Sequence, residues 1–292
     1  MDGGRRPWLH LAPHRWDALR DRLANHPTPA YRLCRDDMRP STLRPPRTVA
    51  AVVESAAFVA AVTGLRSDVD WLRTHLRLLV AEDPKTPTVA GTDLAALAWA
   101  YDILDDVLPA AEYAAWGATL GARAAAAHDM LIGLEGGPSN PDAVALAAGL
   151  RLAARALGPD EAEAAWLAST EPRLTATLAE VATDGWWPTG LDDWHLLLPL
   201  LTRVADAEER ATKADWFDRG LFREAWRVAL HGLAPAMDDG LDLDRAGRHD
   251  LPRAEALADD RPGAHVRWVT EPAFWPLLAL ARRAPEEPGW RA

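Results

Sequence analysis

The residues best suited to chemistry are concentrated in one segment, residues 184–195, which reads Asp-Gly-Trp-Trp-Pro-Thr-Gly-Leu-Asp-Asp-Trp-His. A histidine close to a carboxylate can accept a proton near neutral pH, so Asp193 and His195 are candidate bases. On a continuous helix, residues two apart point in different directions, whereas in a turn both can face one cleft. The structural alternatives are that Asp192 or Asp193 caps a helix that includes Leu196, and that His195 is only a satisfied polar residue at its start.

The same segment carries three tryptophans, which offer flat surfaces for stacking on sugar rings or on a hydrophobic polycyclic ligand. Tryptophans at helical spacing belong more commonly to the core, so each has a structural alternative. We expect at least one of Trp186, Trp187 and Trp194 to face a cleft, with Trp187 and Trp194 as its walls. His128 precedes a Gly-Gly loop and is expected to reach the same cleft.

The elements that must position these side chains are predicted to be helices, because no segment alternates apolar and polar residues as a half-buried strand would. Gly64 is expected to end one helix, and Ser67 or Asp68 to cap the next. About ten helices joined by short breaks predict antiparallel helix pairs. They are expected within residues 8–25, 48–62, 67–79, 110–132, 141–157, 160–182, 191–211, 215–232 and 272–283, with one more through Leu94 and Leu104 that stops at Leu108-Pro109.

One stretch, residues 238–269, is polar and is interrupted by glycines and prolines. Loops of this length in a compact domain are commonly functional, so the stretch is predicted to be irregular structure or a lid. The rest of the chain has no fixed-period repeat and no composition break, which favours a single domain over residues 1–292.

Charge and composition exclude several classes of partner and cofactor. A formal net charge of −11 argues against nucleic acid, which needs clustered cations. The single cysteine, Cys34, provides neither a disulfide nor a thiolate cluster for zinc. No metal, phosphate-loop or dinucleotide motif is found, so no metal or cofactor is expected. The absence of an apolar leader or membrane-spanning run predicts a cytoplasmic protein with no membrane partner. No pattern fixes an oligomeric state.

Short phrases along the chain resemble, in order, the N-terminal helical domain of the heparinase II/III-like polysaccharide lyases, part of the alginate and chondroitin lyase superfamily. They are Trp-Leu-His-Leu-Ala-Pro at 8–13, Ala-Trp-Ala-Tyr-Asp-Ile-Leu at 98–104, Gly-Pro-Ser-Asn at 137–140, the segment 184–194 and His-Gly-Leu-Ala-Pro at 231–235. The resemblance covers most of the chain. It implies an all-α fold, an incomplete (α/α) toroid of antiparallel helical hairpins around a central cleft.

The resemblance also implies roles for further residues. Asn140 matches an asparagine that binds a substrate carboxylate, although it is equally suited to cap the helix that begins at Pro141. The family's proton-transfer tyrosine is replaced by Asp193 and its glutamate by Thr189. Tyr101 is the tyrosine that remains in a family-like phrase and is a candidate acid; its alternative is a buried tyrosine with a satisfied hydroxyl. One of Tyr101 and Asp102 is expected to face inward.

These expectations lead to a cofactor-independent, carbon–oxygen lyase-like enzyme. It would perform β-elimination, or a related dehydration or cyclisation, on a sugar acid or small biosynthetic intermediate. Asp193 or His195 is the expected base and Tyr101 the acid, while Asn140, Trp187, Trp194, Asp102 and His128 are expected to contact the ligand. The alternative is a non-catalytic carbohydrate-binding or small-molecule-binding accessory protein. The changes at Thr189 and Asp193, and the lack of the family's C-terminal β-sandwich, favour that alternative.

Overall fold

The computed structural model describes residues 13–28, 31–32, 34–35, 38, 48–158, 161–180, 187–218 and 221–222. Within these ranges the regular structure is helical, which confirms the predicted all-α class. The longer helices are α1 (Pro13–Asn25), α2 (Val49–Thr63), α3 (Arg66–Ala81), α4 (Pro87–Ile103), α5 (Ala110–Gly133), α6 (Pro141–Leu157), α7 (Glu161–Glu180) and α8 (Leu191–Thr212). Residues 238–269 and the predicted helix over 272–283 lie outside the described residues.

Most helix ends agree with the sequence prediction, and Gly64 ends α2 in the left-handed conformation with φ of 62°. Helix α4 ends at Ile103 and not at the predicted Leu108-Pro109, because residues 105–108 form a turn. The predicted cap of α3 is wrong. This helix begins at Arg66, one residue before Ser67, and Leu65 precedes it without a side-chain cap. The carboxylate of Asp68 instead accepts the hydroxyl of Thr63 at 2.7 Å. The reason is local: the αL turn at Gly64 is followed by an extended Leu65, so the next helix starts immediately.

Two other helix-end predictions are also wrong. The helix of the aromatic segment begins at Leu191 after Gly190, whose φ of 115° favours glycine. Asp192 and Asp193 therefore lie inside its first turn and are not its N-cap. At the other end, Lys213 closes α8 in the left-handed conformation, and residues 213–218 are irregular. The helix expected from residue 215 therefore does not start there.

The helices are arranged in two layers. The helices of even number, α2, α4, α6 and α8, pack against one another in sequence and form the inner layer. Outside it, α3 packs on α2, α5 lies against both α4 and α6, and α7 packs on α6. This alternation follows from the hairpin connectivity, because each outer helix connects two inner ones.

Contacts between named residues give the helix directions. Thr88 binds Asp142, and Gly91 meets Gly149, so α4 and α6 run in parallel. Helix α7 runs the opposite way, because its Thr177 reaches the carbonyl of Pro138 at the other end of the pair.

The direction of α8 follows from chain length. Glu208 of α8 lies against Arg151 and Arg155, near the C-terminal end of α6. If α8 ran opposite to α6, Leu191 would lie about 50 Å from the end of α7 at 1.5 Å per residue. The eleven steps from Glu180 to Leu191 span at most about 38 Å. The inner helices α4, α6 and α8 therefore all begin at the same end of the molecule.

Candidate functional site

Most of the residues proposed from the sequence lie at the end of the molecule where the inner helices begin. Asn140 precedes α6, while Trp187 and Asp193 lie at the start of α8. Helix α5 runs antiparallel to α4, with its Gly117 against Tyr101, so half-buried His128 near the C-terminus of α5 reaches this end too. We call it the N-terminal end. The fold thus collects residues that are as much as 65 positions apart in the sequence.

At this end the side chain of Asn140 is engaged by the backbone. Its Oδ1 accepts the backbone N–H groups of Asp142 and Ala143 at 3.0 and 3.4 Å, which makes it the N-cap of α6. Its Nδ2 donates to the carbonyl of Glu135 at 3.0 Å. The capping role that the sequence offered as an alternative is therefore present, and it occupies the acceptor oxygen and one amide hydrogen.

The aromatic segment supplies core side chains. Trp187 and Trp194 are only 1% and 2% exposed, so both belong to the hydrophobic core. Among the described residues, the indole N–H of buried Trp187 has no hydrogen-bond acceptor. Asp193 is half-buried and accepts the hydroxyl of Thr189. The side chains of Asp192 and His195 and the whole of Trp186 lie outside the described residues.

Tyr101 and Asp102 lie at the other end of the inner layer. Tyr101 is 13 residues beyond Thr88 on α4, about 20 Å along the axis, and Thr88 is bonded to the N-terminal end of α6. The Tyr101 ring stacks on Tyr113 of α5, with centroids 4.3 Å apart and planes at 9°. Asp102 is fully buried on α4. The structure therefore separates these two from the other candidates.

The surroundings of Tyr101 are apolar and small. Its hydroxyl lies under Gly117, where a Cβ atom would come within 2.8 Å of it. A cavity of about 10 Å³ beside it, lined among others by Leu76, Leu97 and Trp116, has room for about one water. This cavity is too small for a sugar ring.

A second group of side chains, which sequence reasoning missed, meets on the inner layer near the C-terminal half of α4. The Arg203 guanidinium lies over the Trp99 ring with Cζ 5.2 Å from its centroid, within cation–π range. Both of its terminal nitrogens donate to the Glu54 carboxylate, Nη2 to Oε2 at 2.7 Å. We call Glu54, Trp99 and Arg203 the inner cluster. They come from α2, α4 and α8, so no local spacing in the sequence links them.

The inner cluster is accessible to solvent. The side chains of Arg203 and Glu54 are 28% and 22% exposed, and Trp99 is half-buried. A planar cation, a carboxylate and an aromatic face thus lie together at the surface of the inner layer. Such a set can stack on a flat ligand and hydrogen-bond its polar edge. The signal available in the sequence was Glu54, the one charged residue in the otherwise apolar helix α2.

A further polar group, centred on buried Glu208 and Arg151, serves the fold. Arg151 donates Nε to Glu208 at 2.8 Å, and Arg155 donates two N–H groups to the same carboxylate, each at 2.8 Å. Burial alone would raise the pKa of Glu208, but the hydrogen bonds and charges of the two arginines outweigh it and hold the pKa below its usual range. Trp216 stacks under Arg151 at 4.7 Å. This buried cluster joins α6 to α8.

Asp93 on α4 is a partly buried carboxylate whose charge is poorly compensated. Burial raises its pKa to about 6, against the opposing charge of Arg123. The Arg123 guanidinium is itself bound to the carbonyls of Val80 and Glu82. Asp93 therefore titrates within the range in which most carboxylates are already ionised.

No protein-family model matches this chain, and no curated protein matches it at a significant level. The described part of the chain has no group of three or more His, Cys, Asp or Glu side chains placed to hold a metal ion. It also has no helix that combines the length and apolar character needed to cross a membrane. Function is therefore inferred from the chemistry of the residues above.

Proposed function

We propose that this protein is a binding or accessory protein that takes a small saccharide-like ligand on the surface of its inner helical layer. The observation that carries the proposal is the inner cluster. Trp99 offers a partly exposed aromatic face, and Arg203 and Glu54 place a donor fork and a carboxylate at its edge. This combination suits sugar recognition, because the apolar face of the ring stacks while its hydroxyl groups need hydrogen-bond partners.

The state of the other candidates supports binding over catalysis. Asn140 caps a helix, Trp187 and Trp194 are core residues, and Tyr101 is about 20 Å from the N-terminal end. An elimination requires a base, an acid and a carboxylate partner around one substrate. The layered array of antiparallel hairpins is the kind of scaffold from which an (α/α) toroid is built, and we propose that this chain follows the toroid plan.

The experiment is a binding measurement by saturation-transfer difference NMR with a panel of neutral and acidic mono- and oligosaccharides. We expect Trp99→Leu to abolish the transfer to sugar protons, because it removes the stacking surface. Trp116→Leu is the matched control, since Trp116 is also half-buried but lies on α5 beside the small cavity. Unchanged transfer in Trp99→Leu, with the fold intact by circular dichroism, would contradict the proposal.

The second candidate is the lyase-like enzyme, and one observation favours it. Half-buried Asp193 lies in the first turn of α8, at the same end as Asn140 and His128. In this proposal Asp193 or His195 removes the proton next to a substrate carboxylate. The C–O bond at the neighbouring carbon breaks as the double bond forms, and the leaving oxygen takes up a proton from water. It predicts a new conjugated double bond, seen as a rise in ultraviolet absorbance on a uronate panel. That signal, lost in Asp193→Asn or His195→Ala, would replace the binding proposal with this one.

A further inference from the structure

Within the inner cluster, Arg203 already binds a carboxylate, that of Glu54. Arg203 holds the Glu54 carboxylate through both terminal nitrogens, in the fork geometry that an arginine uses for any carboxylate. The two residues are 149 positions apart and belong to the first and last helices of the inner layer, α2 and α8, which are not packed along their lengths. The pair therefore crosses the surface of the inner layer beside the Trp99 ring.

The Arg203–Glu54 pair lies where a ligand carboxylate can take the place of the Glu54 carboxylate. Both side chains are more than a fifth exposed, so the fork is not an enclosed ion pair. Water therefore reaches both partners and competes for them. Within the described residues, Glu54 receives only two of the five N–H donors of Arg203. An incoming carboxylate therefore has N–H groups of Arg203 to bind besides the two that Glu54 holds.

We propose that Glu54 is an autoinhibitory stand-in for the carboxylate of an acidic ligand. In the ligand-bound protein the ligand carboxylate occupies the Arg203 fork, its ring lies on Trp99, and Glu54 is released to solvent. This inference rests on the proposed binding function and adds its ligand class, a ring that bears a carboxylate. It predicts an unusual direction of change, namely that removing an acidic residue strengthens the binding of an acid.

The test compares D-glucuronate with D-glucose, which share a ring and differ in the carboxylate. Affinities are measured by titration in wild type, Glu54→Gln and Arg203→Gln. Because Gln cannot compete as an anion, we expect Glu54→Gln to bind glucuronate about tenfold more tightly, a difference of about 1.4 kcal/mol. Glucose affinity should change much less. Arg203→Gln should lose the preference for glucuronate.

A matched control is available in the chain. Arg73 and Glu112 form a second two-point pair, at 2.8 and 2.7 Å and with similar exposure, between α3 and α5. Glu112→Gln breaks an equivalent fork away from the inner layer and should leave both affinities unchanged. If Glu54→Gln is unfolded by circular dichroism, Glu54→Ala replaces it, because alanine also removes the competing carboxylate.

The outcomes separate this inference from the function on which it rests. If both sugars bind in a Trp99-dependent way but Glu54→Gln gains nothing for glucuronate, the exchange is overturned and the binding function stands. If neither sugar binds to wild type or to Glu54→Gln, both are overturned. A gain that also appears in Glu112→Gln would show a general effect of net charge and would likewise overturn the exchange.

Discussion

Gly91 of α4 and Gly149 of α6 are in direct backbone contact. A Cβ atom on Gly149 would lie 2.2 Å from the carbonyl oxygen of Gly91, and one on Gly91 would lie 2.3 Å from the carbonyl group of Ala145. Real atoms do not approach so closely, so these two helices approach only because both positions lack a side chain. This seam aligns the beginnings of α4 and α6, and with them Asn140, at the N-terminal end.

We expect Gly149→Ala to destabilise the protein by about 2–3 kcal/mol, because the methyl group forces two packed backbones apart. Gly121→Ala is the control. Gly121 also lies within a helix, but nothing is within 4 Å of its Cβ position, so alanine should stabilise it by about 0.5–1 kcal/mol. Urea unfolding monitored by circular dichroism measures both. Equal midpoints for the two variants would contradict the close approach.

Breaking the buried cluster should have a large effect. Glu208→Gln leaves Arg151 and Arg155 without their anion, and Arg151 is almost completely buried. The expected loss is about 3–5 kcal/mol in the free energy of unfolding. Glu171→Gln removes an exposed partner of the same Arg151, at 3.4 Å, and should change stability by less than about 1 kcal/mol. Chemical denaturation of both variants decides whether the buried carboxylate holds α6 and α8 together.

Stability should depend on pH through Asp93. Its folded-state pKa of about 6 lies above its ordinary value of 3.8, so between these values the folded protein binds a proton that the unfolded chain does not. Stability therefore rises as the pH falls from about 6 to about 4. Partial exposure limits the effect to about 1 kcal/mol. Asp93→Asn should be more stable than wild type at pH 7, and its stability should not rise in this way as the pH falls.

Glu208 acts in the opposite direction, because its pKa is lowered and its contribution disappears as the pH falls through that lowered value. The two effects oppose each other in acid solution: Asp93 adds stability as the pH falls from about 6, and Glu208 removes stability at lower pH. Thermal unfolding across the pH range measures the curve. A wild-type curve that is identical to that of Asp93→Asn would show that Asp93 has an ordinary pKa.

The two roles considered for Asn140 can be separated by substitution. Asn140→Ala removes the cap of α6 and should cost about 1 kcal/mol, whereas Asn140→Ser keeps a capping oxygen and should cost only a few tenths. Thermal unfolding gives the stability and NMR titration gives the ligand affinity. If Asn140→Ser keeps its stability but loses binding of glucuronate, Asn140 contacts the ligand as well.

The predictions from the sequence were correct where they depend on residues that are close together in the chain. Helical periodicity, the glycine after α2 and the Asn-Pro pair before α6 are short-range signals, and the helices follow them. The prediction that Asp192 or Asp193 caps α8 was wrong because the cap is Gly190, with its positive φ, and the helix begins before both aspartates. The sequence did not decide whether Trp187 and Trp194 are buried, because an aromatic side chain suits both a core and a binding surface.

The sequence alone determined an all-helical chain, its main helix starts and a concentration of polar and aromatic residues at 184–195. Only the tertiary structure decided which of these meet. Tyr101 stacks on α5, about 20 Å along α4 from the N-terminal end where Asn140 lies, while packing of the inner helices brought together Glu54, Trp99 and Arg203. The physical reason is that helical spacing fixes which residues share a face, whereas the approach of distant helices fixes which faces touch.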